Sequence, residues 1–398
     1  MPTLLQINVT ANWGSTGKIA EDIGKLAIDA GWESWIAYGR GNPTSKSNLI
    51  RIGNDWDMRL HGLQSRLFDN HGLASHRVTR KFIEQIKQIR PDIIHLHNIH
   101  GYYLNYPLLF DFLKEYNAPI IWTLHDCWLY TGHCAYYDYA KCERWRSECH
   151  DCPQLRSYPI SIWRDRSKRN FLQKKESFLG LKNLTFVPVS DWLNKELSES
   201  FLSVYPAITI HNGIDLSVFS PSSTLVKDKN QKVILGVASV WDKRKGLEEF
   251  VKLRTLLPEN YTIMLVGLSQ EQISTLPSGI TGIRRTENVR QLADLYSMAD
   301  AFVNPTLEDN FPTTNLEALA CGTPVITYNT GGSPEAIDAE TGFVVPYQDI
   351  DSLAKKVIET CESQPFTSEQ CRKRAETLYD KQKVFTRYIN IYNSLVVK

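Results

Sequence analysis

Short apolar runs of strand length alternate with amphipathic helical stretches along nearly all of this 398-residue chain, and the alternation starts twice. LLQINV (4–9) reads as a buried strand, followed by the loop ANWGSTG and the helical pattern KIAEDIGKLAIDAG, which Gly31 stops. WESWIAYG (32–39) is the next strand. After a mixed helical region, VTRKFIEQIKQIRP leads into DIIHLHNI, and LLFDFLKEYNAP leads into IIWTLHD. ESFLGLKNLTFVPVS then runs into a further helix and AITIHNGID. Such an order predicts an α/β fold, a parallel sheet covered by helices on both faces. The pattern restarts at QKVILGVAS (231–239) and continues through YTIMLVG, AFVNPT, TPVITYN and TGFVVPY, with helices such as KGLEEFVKLRTLLP between them. The length exceeds what one ordinary core organises, so two domains are expected. We place them at 1–205 and 206–375, with a helical segment at 376–398; the polar stretch SPSSTLVKDKNQ (220–231) lies just before the second sheet begins. Two open parallel sheets predict a ligand cleft between the domains.

The bulk numbers exclude some classes. Net charge is +1, so the chain as a whole attracts no polyanion, and no nucleic-acid module is visible. The first residues lack a basic stretch followed by an apolar one, and no run approaches the roughly 18 apolar residues needed to span a bilayer. The expected location is the cytoplasm, at the inner face of the membrane if a membrane is involved.

Four local patterns carry candidate chemistry. In GVASVWDKRKGLEEF, Lys243, Arg244 and Lys245 sit beside Gly246 at a strand-to-helix turn. Three cations there suit a phosphate, which a helix N-terminus also favours; the bland reading is a solvated basic turn. In PTLEDNFPTTNLEALACGTPV, Asp309 and Glu317 bracket a Pro/Thr/Asn loop. Thr314-x-x-Glu317 fits a capping box, which would make Glu317 structural. The functional reading has the carboxylate accept sugar or ribose hydroxyls, while loop amides around Pro312 face phosphate. NWGSTGK lacks P-loop spacing, but Gly14 and Gly17 permit close backbone approach to a ligand. His125-Asp126 ends one strand, and His95, His97 and His100 end the preceding one. The triplet suits hydrogen bonding better than metal; His125 can move a proton or donate to a sugar hydroxyl.

Five of the eight cysteines crowd into residues 127–152. Cys134, Cys142, Cys149 and Cys152 form C-x7-C-x6-C-x2-C, which suits a tetrahedral structural zinc; the alternative is paired or free thiols. His133 or His150 could replace one ligand, and Cys127 is left to pack behind His125. Further on, IWRDRSKRNFLQKKESF (162–178) interleaves Trp163, Phe171 and Phe178 with cations. It reads either as a basic amphipathic helix on an anionic membrane or as a solvated helix with a core face.

Taken together, the order of these patterns resembles the retaining glycosyltransferases of family 4. The Gly-rich loop, the strand-end His-Asp, IxNGID, the basic KG turn, [acid]-x-F-P-x-x-x-L-E-A-L-A-C-G-T-P-V and GGSPE follow one another over nearly the whole chain. The HDCW…TGHC…CP segment is similar to a subgroup linked to capsule, exopolysaccharide and colanic-acid-like assembly. The resemblance implies the GT-B fold, two Rossmann-like domains facing each other across a cleft. It also implies transfer from a nucleotide-diphosphate sugar, bound by the second domain, to an oligosaccharide or lipid-linked acceptor on the first. Lys245 matches a phosphate-binding lysine and Glu317 the acid that holds the ribose. Asp309 matches the acid near the donor sugar, with Phe311, Pro312 and Thr313 lining sugar and phosphate. Gly14 matches a loop glycine near the phosphates and His125 a histidine near the reacting sugar. Asn212, Gly213 and Asp215 match the hinge, and Gly331, Gly332 and Glu335 the loop after the acidic helix. Two positions depart from the pattern. The first acid is an Asp followed by Asn310 where glycine is usual, and Val240 stands where an arginine is usual, leaving Arg244 or Lys243 to supply that charge. No cofactor is implied for catalysis, since no D-x-D pair sits where a divalent ion is expected. The last helix is implied to cross back to the first domain. A nucleotide-sugar epimerase or phosphorylase of the same fold, or a catalytically weak nucleotide-sugar-binding protein, is the alternative.

Overall fold

Two six-stranded sheets, each wholly parallel, organise the chain in this computed structural model, which describes residues 1–225, 228 and 230–396. The first contains β1 (Thr3–Thr10), β2 (Glu33–Arg40), β3 (Asn48–Arg51), β4 (Ile93–Leu96), β5 (Ile120–Leu124) and β6 (Leu184–Pro188), in the order β3-β2-β1-β4-β5-β6. The second contains β7 (Lys232–Val237), β8 (Tyr261–Val266), β9 (Ile280–Ile283), β10 (Ala301–Asn304), β11 (Val325–Tyr328) and β12 (Gly342–Val345), in the order β12-β11-β10-β7-β8-β9. Each is the doubly wound order, in which the winding reverses between the first and fourth strands. Leu4 pairs with Ile93 across one reversal, and Phe302 pairs with Leu235 across the other. β4, β5, β10 and β11 are buried at every position, as expected of strands covered on both faces.

The chain divides into two units, Met1–Ile210 with Phe385–Lys398, and His211–Val384. The sequence reading set the breaks at 205/206 and 375/376. Val226, Lys227 and Lys229 of its polar stretch, and the last two residues of its terminal helix, lie outside the described residues. Within the first unit, the end of helix Lys381–Val396 buries Phe385, Tyr388 and Tyr392. Tyr392 bonds through its hydroxyl to His95 Nδ1 at 2.5 Å, Thr123 Oγ1 donates to Tyr388 at 3.1 Å, and Trp32 Nε1 donates to Asn393 at 3.2 Å. Polar teeth on one helix thus meet β4 and β5 in a site where water cannot replace them.

At three places the structure goes beyond what the sequence pattern shows. β3 went unread, because NLIR is too short to show a period. AITIHNGID is not a strand; Ala207 makes one bridge to Phe186, and Ile208 and Ile210 donate to Phe186 and Pro188. Of the two readings of 162–178, the core face is the one its helix takes. Helix Ser167–Phe178 buries Phe171, Lys174 and Phe178, leaving only Trp163 of the three aromatics exposed. The core face prevailed because Phe178 packs against Phe110, with ring centres 4.6 Å apart, and Trp122, 5.1 Å apart.

Tyr392→Phe should cost about 1–3 kcal/mol, the penalty for orphaning a buried polar partner. Urea unfolding checks this, and an unchanged midpoint would show that the hydroxyl does not anchor the helix.

Candidate active site

In a doubly wound sheet the loops at the carboxyl ends of the two strands flanking the reversal diverge and leave a crevice. In the second unit those loops follow β7 and β10, and they carry Lys243–Gly246 and Pro305–Pro312. The two loops are tied through backbone: Leu307 N–H donates to Arg244 O at 2.7 Å, and Arg244 Nη1 donates to Glu308 O at 3.3 Å. Gly246 has φ +77°, and a Cβ there would lie 2.2 Å from Pro305 O, so only glycine permits this approach. The result is a direct ion pair between Lys245 Nζ and Asp309 Oδ2, both largely buried. Arg244 lies beside them with Nε 3.5 Å from Asp242. Val240 is an exposed apolar side chain with no charge to add.

The next loop closes over the same acid. Gly332 N–H donates to Asp309 O at 3.1 Å, and Gly331, at φ +52°, would place a Cβ 1.9 Å from that oxygen. Phe311 is buried, accepts from Asn212 Nδ2 at 3.3 Å and stacks near the His211 ring at 4.7 Å. His211 Nε2 lies 3.0 Å from Glu335.

Glu317 is not the capping residue that Thr314-x-x-Glu317 suggested. Helix Thr313–Ala320 is capped at Pro312, without a side-chain cap, and Glu317 is its fifth residue. The residue before a proline is kept out of the helical region, so the helix starts only after Phe311-Pro312. Glu317 instead accepts the Tyr296 hydroxyl at 2.9 Å. Asn315 fixes the helix from below: its amide donates to Ser333 O and Oγ at 3.1 and 3.0 Å and accepts from Asn304 at 2.8 Å. Sequence reading missed Asn315, Ser333 and Tyr296, since no spacing links residues that meet only through the sheet.

In the first unit Gly14 opens helix Gly14–Asp29 just after β1, is exposed, and has nothing within 4 Å of where a Cβ would sit. His125 follows β5, with Nε2 3.2 Å from His97 Nδ1, and His97 Nε2 is 3.1 Å from Gln6 Oε1. Gln6 donates its amide to Ala20 O at 2.8 Å, so its oxygen faces His97. His97 then carries its proton on Nε2, and His125 donates from Nε2 and keeps its lone pair on Nδ1. Burial pushes the His125 imidazole down to about 4. Beside it, His100 Nε2 lies 2.8 Å from Asp126 Oδ2, and Trp128 N–H donates to the other oxygen at 3.0 Å. Burial pushes Asp126 up, but His100 and the Trp128 N–H outweigh it and hold the carboxyl below its ordinary value. The strand-end histidines are hydrogen-bonded: His95 bonds Thr123 at 2.8 Å and Tyr392, and His100 bonds Tyr158 at 3.0 Å.

Cys134, Cys142, Cys149 and Cys152 all line one pocket, together with His133, Trp145 and His150, and every cysteine of the chain is a free thiol. Gly132 N–H points at Cys149 Sγ at 3.2 Å. The bond from the Cys134 thiol brings Cys152 down to about 7, while burial pushes Cys149 up to about 12. Among the described residues, no three of these side chains bring their ligand atoms within 4.8 Å of one another. Cys127 is buried, and its N–H donates to Ala135 O at 3.0 Å.

These sites sit in a chain whose two halves match models of sugar-transferring enzymes. The Glycosyltransferase Family 4 model matches residues 19–218, and the Glycosyl transferases group 1 model matches 231–363. The chain belongs to glycosyltransferase family 4, and its two Rossmann-like units are those of the GT-B fold. It is 25% identical to the putative colanic acid biosynthesis glycosyl transferase WcaC of Escherichia coli K12, over 98% of this chain and all of that one. It is 24% identical to the capsular polysaccharide biosynthesis glycosyltransferase CapM of Staphylococcus aureus, over 53% of this chain and 61% of that one. Among solved structures, sucrose-phosphate synthase of Thermosynechococcus elongatus superposes with a TM-score of 0.74 at 20% identity, covering both chains fully. Anabaena HepE, solved with UDP, does so with a TM-score of 0.68 at 14% identity, over 99% and 100% of the two chains.

The buried imidazoles set an acid limit on the first unit. Burial lowers His61 and His95 from 6.5 to about 3, and His125 to about 4. Their folded values lie below the unfolded one, so the unfolded chain binds protons that the folded chain refuses. Stability is complete above pH 6.5 and falls as pH drops towards 4, by about 1.4 kcal/mol per pH unit for each such histidine. Urea midpoints between pH 7.5 and 4.5 should fall accordingly; a flat profile would contradict the neutral, buried assignment.

Proposed function

We propose that this enzyme moves a sugar from a nucleotide-diphosphate sugar to an oligosaccharide or lipid-linked saccharide in surface polysaccharide synthesis, with retention of anomeric configuration. One observation carries the reading: Lys245 and Asp309 meet where the loops after β7 and β10 diverge, with Glu317 on the helix that follows. A diphosphate would be met there by Lys245, Arg244 and the start of helix Thr313–Ala320, a fixed positive field for a leaving group that gains charge. Once phosphate takes the lysine, Asp309 is released to the donor sugar's hydroxyls. Glu317, already an acceptor for Tyr296, would accept the ribose hydroxyls with its remaining lone pairs. Phe311, Pro312 and Thr313 wall the donor side.

The first unit is assigned the acceptor, with Gly14 letting backbone approach the phosphates and His125 positioning and polarising the reacting centre. No protein nucleophile is assigned. Attack comes on the face the diphosphate leaves, and the departing phosphate oxygen takes the acceptor's proton. Lys245, Arg244 and the helix amides are the positive groups assigned to the leaving diphosphate, and no metal is assigned to the transfer. The names of the Escherichia coli and Staphylococcus aureus relatives favour the polysaccharide setting. No helix among the described residues is long and apolar enough to cross a membrane. A lipid-linked acceptor is assigned to peripheral contact at the inner face.

The cysteine pocket is assigned a structural zinc. Its four thiols suit the ion, and a second feature supports the reading: His133 Nε2 is buried without a partner while Nδ1 is held by Asp69 at 2.6 Å. A carboxylate behind a histidine is the usual support of a metal-bound imidazole. The ion would draw these side chains together.

Lys245→Ala should lower kcat/KM by about 10²–10³-fold, with a modest loss of thermal stability as Asp309 loses its partner. Calorimetry with UDP, GDP and ADP sugars should find one selective donor, and failure of all three sinks the transferase assignment. Elemental analysis should find one zinc per chain, lost with Cys149→Ser; metal-free protein at full stability would remove the zinc.

A further inference from the structure

Helix Asp55–Phe68 is amphipathic the wrong way round. Its buried residues are His61 and Ser65. His61 pairs with Ser75 at 2.8 Å and accepts Gly72 N–H at 3.2 Å, so the inward face is polar and satisfied. The outward face carries Trp56 at 70%, Leu60 at 58% and Leu63 at 53% exposure. Their spacing of four and three residues stacks them in one stripe. A surface helix ordinarily turns such a stripe to the core.

A second segment extends the stripe. Ile162 N–H donates to Arg66 O at 2.8 Å, and Trp163 Nε1 donates to Leu67 O at 3.0 Å, which pins 162–163 along the end of the helix. Ile162 is exposed, and Trp163 is 68% exposed although its indole nitrogen is already satisfied by backbone. Arg164 lies over the Phe68 ring at 5.7 Å. Exposed apolar side chains are common singly, but a set of five on two hydrogen-bonded segments marks a docking surface.

The charges around it choose the partner. Arg59, Arg66, Arg164 and Arg169 are exposed in these two segments. The acids among them are engaged locally: Asp55 pairs with Arg51, Asp57 accepts Asn54 N–H at 2.9 Å, and Asp165 accepts Ser167 N–H at 2.8 Å. Apolar side chains with two tryptophans and a rim of arginines match a bilayer interface, where indoles sit at headgroup depth and cations meet anionic lipid.

We propose that this face, the outward stripe of helix Asp55–Phe68 with Ile162 and Trp163, docks the enzyme on an anionic lipid surface. The surface replaces helix Ser167–Phe178, whose aromatics are in the core. It deepens the reading of a membrane-bound acceptor and rests on it for its purpose, not for its binding.

The test is flotation of the full chain with phosphatidylcholine vesicles and with an equal mixture of phosphatidylcholine and phosphatidylglycerol. Binding should require phosphatidylglycerol and weaken with salt. Leu60→Ser/Trp163→Ser, and separately Arg59→Gln/Arg164→Gln, should each reduce partitioning about tenfold or more. These side chains are exposed, so unchanged urea midpoints show that the variants fold. Equal binding to both vesicle types, or none, overturns the proposal. So does a concentration-dependent dimer abolished by Leu60→Ser, which would give the stripe to a second copy. Donor calorimetry on the same samples separates the two readings: vesicle binding without donor binding defeats the transferase assignment alone, and the converse defeats the docking surface alone.

Discussion

Parallel pairing with a reversal in winding is the constraint on which the candidate site depends. Every strand of a parallel sheet ends on the same edge, and only at the reversal do neighbouring loops leave in opposite directions. The chain uses this twice, between β1 and β4 and between β7 and β10. Gly14, Lys245 and Asp309 all follow strands that flank a reversal, and His125 follows the strand next to one. Lys245 and Asp309 are far apart in sequence and meet only through the strand order of the second sheet.

Within that frame, close backbone approach does the fine positioning. Gly246 against Pro305 and Gly331 against Asp309 bring three loops nearer than any side chain would permit. The Lys245–Asp309 pair is then held by chain geometry, with the carboxylate neutralising the lysine while both are mostly out of water. A preset charge pair of this kind would need little rearrangement if, as proposed, a diphosphate took the carboxylate's place beside the lysine.

The first unit solves a different problem, the burial of polar groups. Gln6, His97 and His125 form a line in which each bond fixes the next ring's tautomer. His95 is bonded on both nitrogens, by Thr123 and by Tyr392 from the far end of the chain. Such lines are costly if incomplete, so they hold the terminal helix as firmly as they orient His125. The inside-out helix Asp55–Phe68 belongs to the same logic. With His61 satisfied inward, the apolar stripe has nowhere to go but outward.

The sequence by itself determined the fold class and the two sheets, and it singled out the loops to which the chemistry is assigned. Apolar runs long enough for strands, helix periods between them, and the spacing from Asp309 to Glu317 all act over a few residues and survive without tertiary context. Strand order, the Lys245–Asp309 pair, the Tyr296 partner of Glu317 and the burial of Phe171 and Phe178 were decided only in three dimensions, because each depends on which elements become neighbours. Thr314-x-x-Glu317 shows the limit most plainly: the local pattern fits a cap, but Pro312 fixes where the helix begins, and the acid then turns to a tyrosine twenty-one residues away. The stripe of Trp56, Leu60 and Leu63 is periodic in the sequence as well. Only the packed structure shows that it faces solvent, because the polar face beside it had already found its partners.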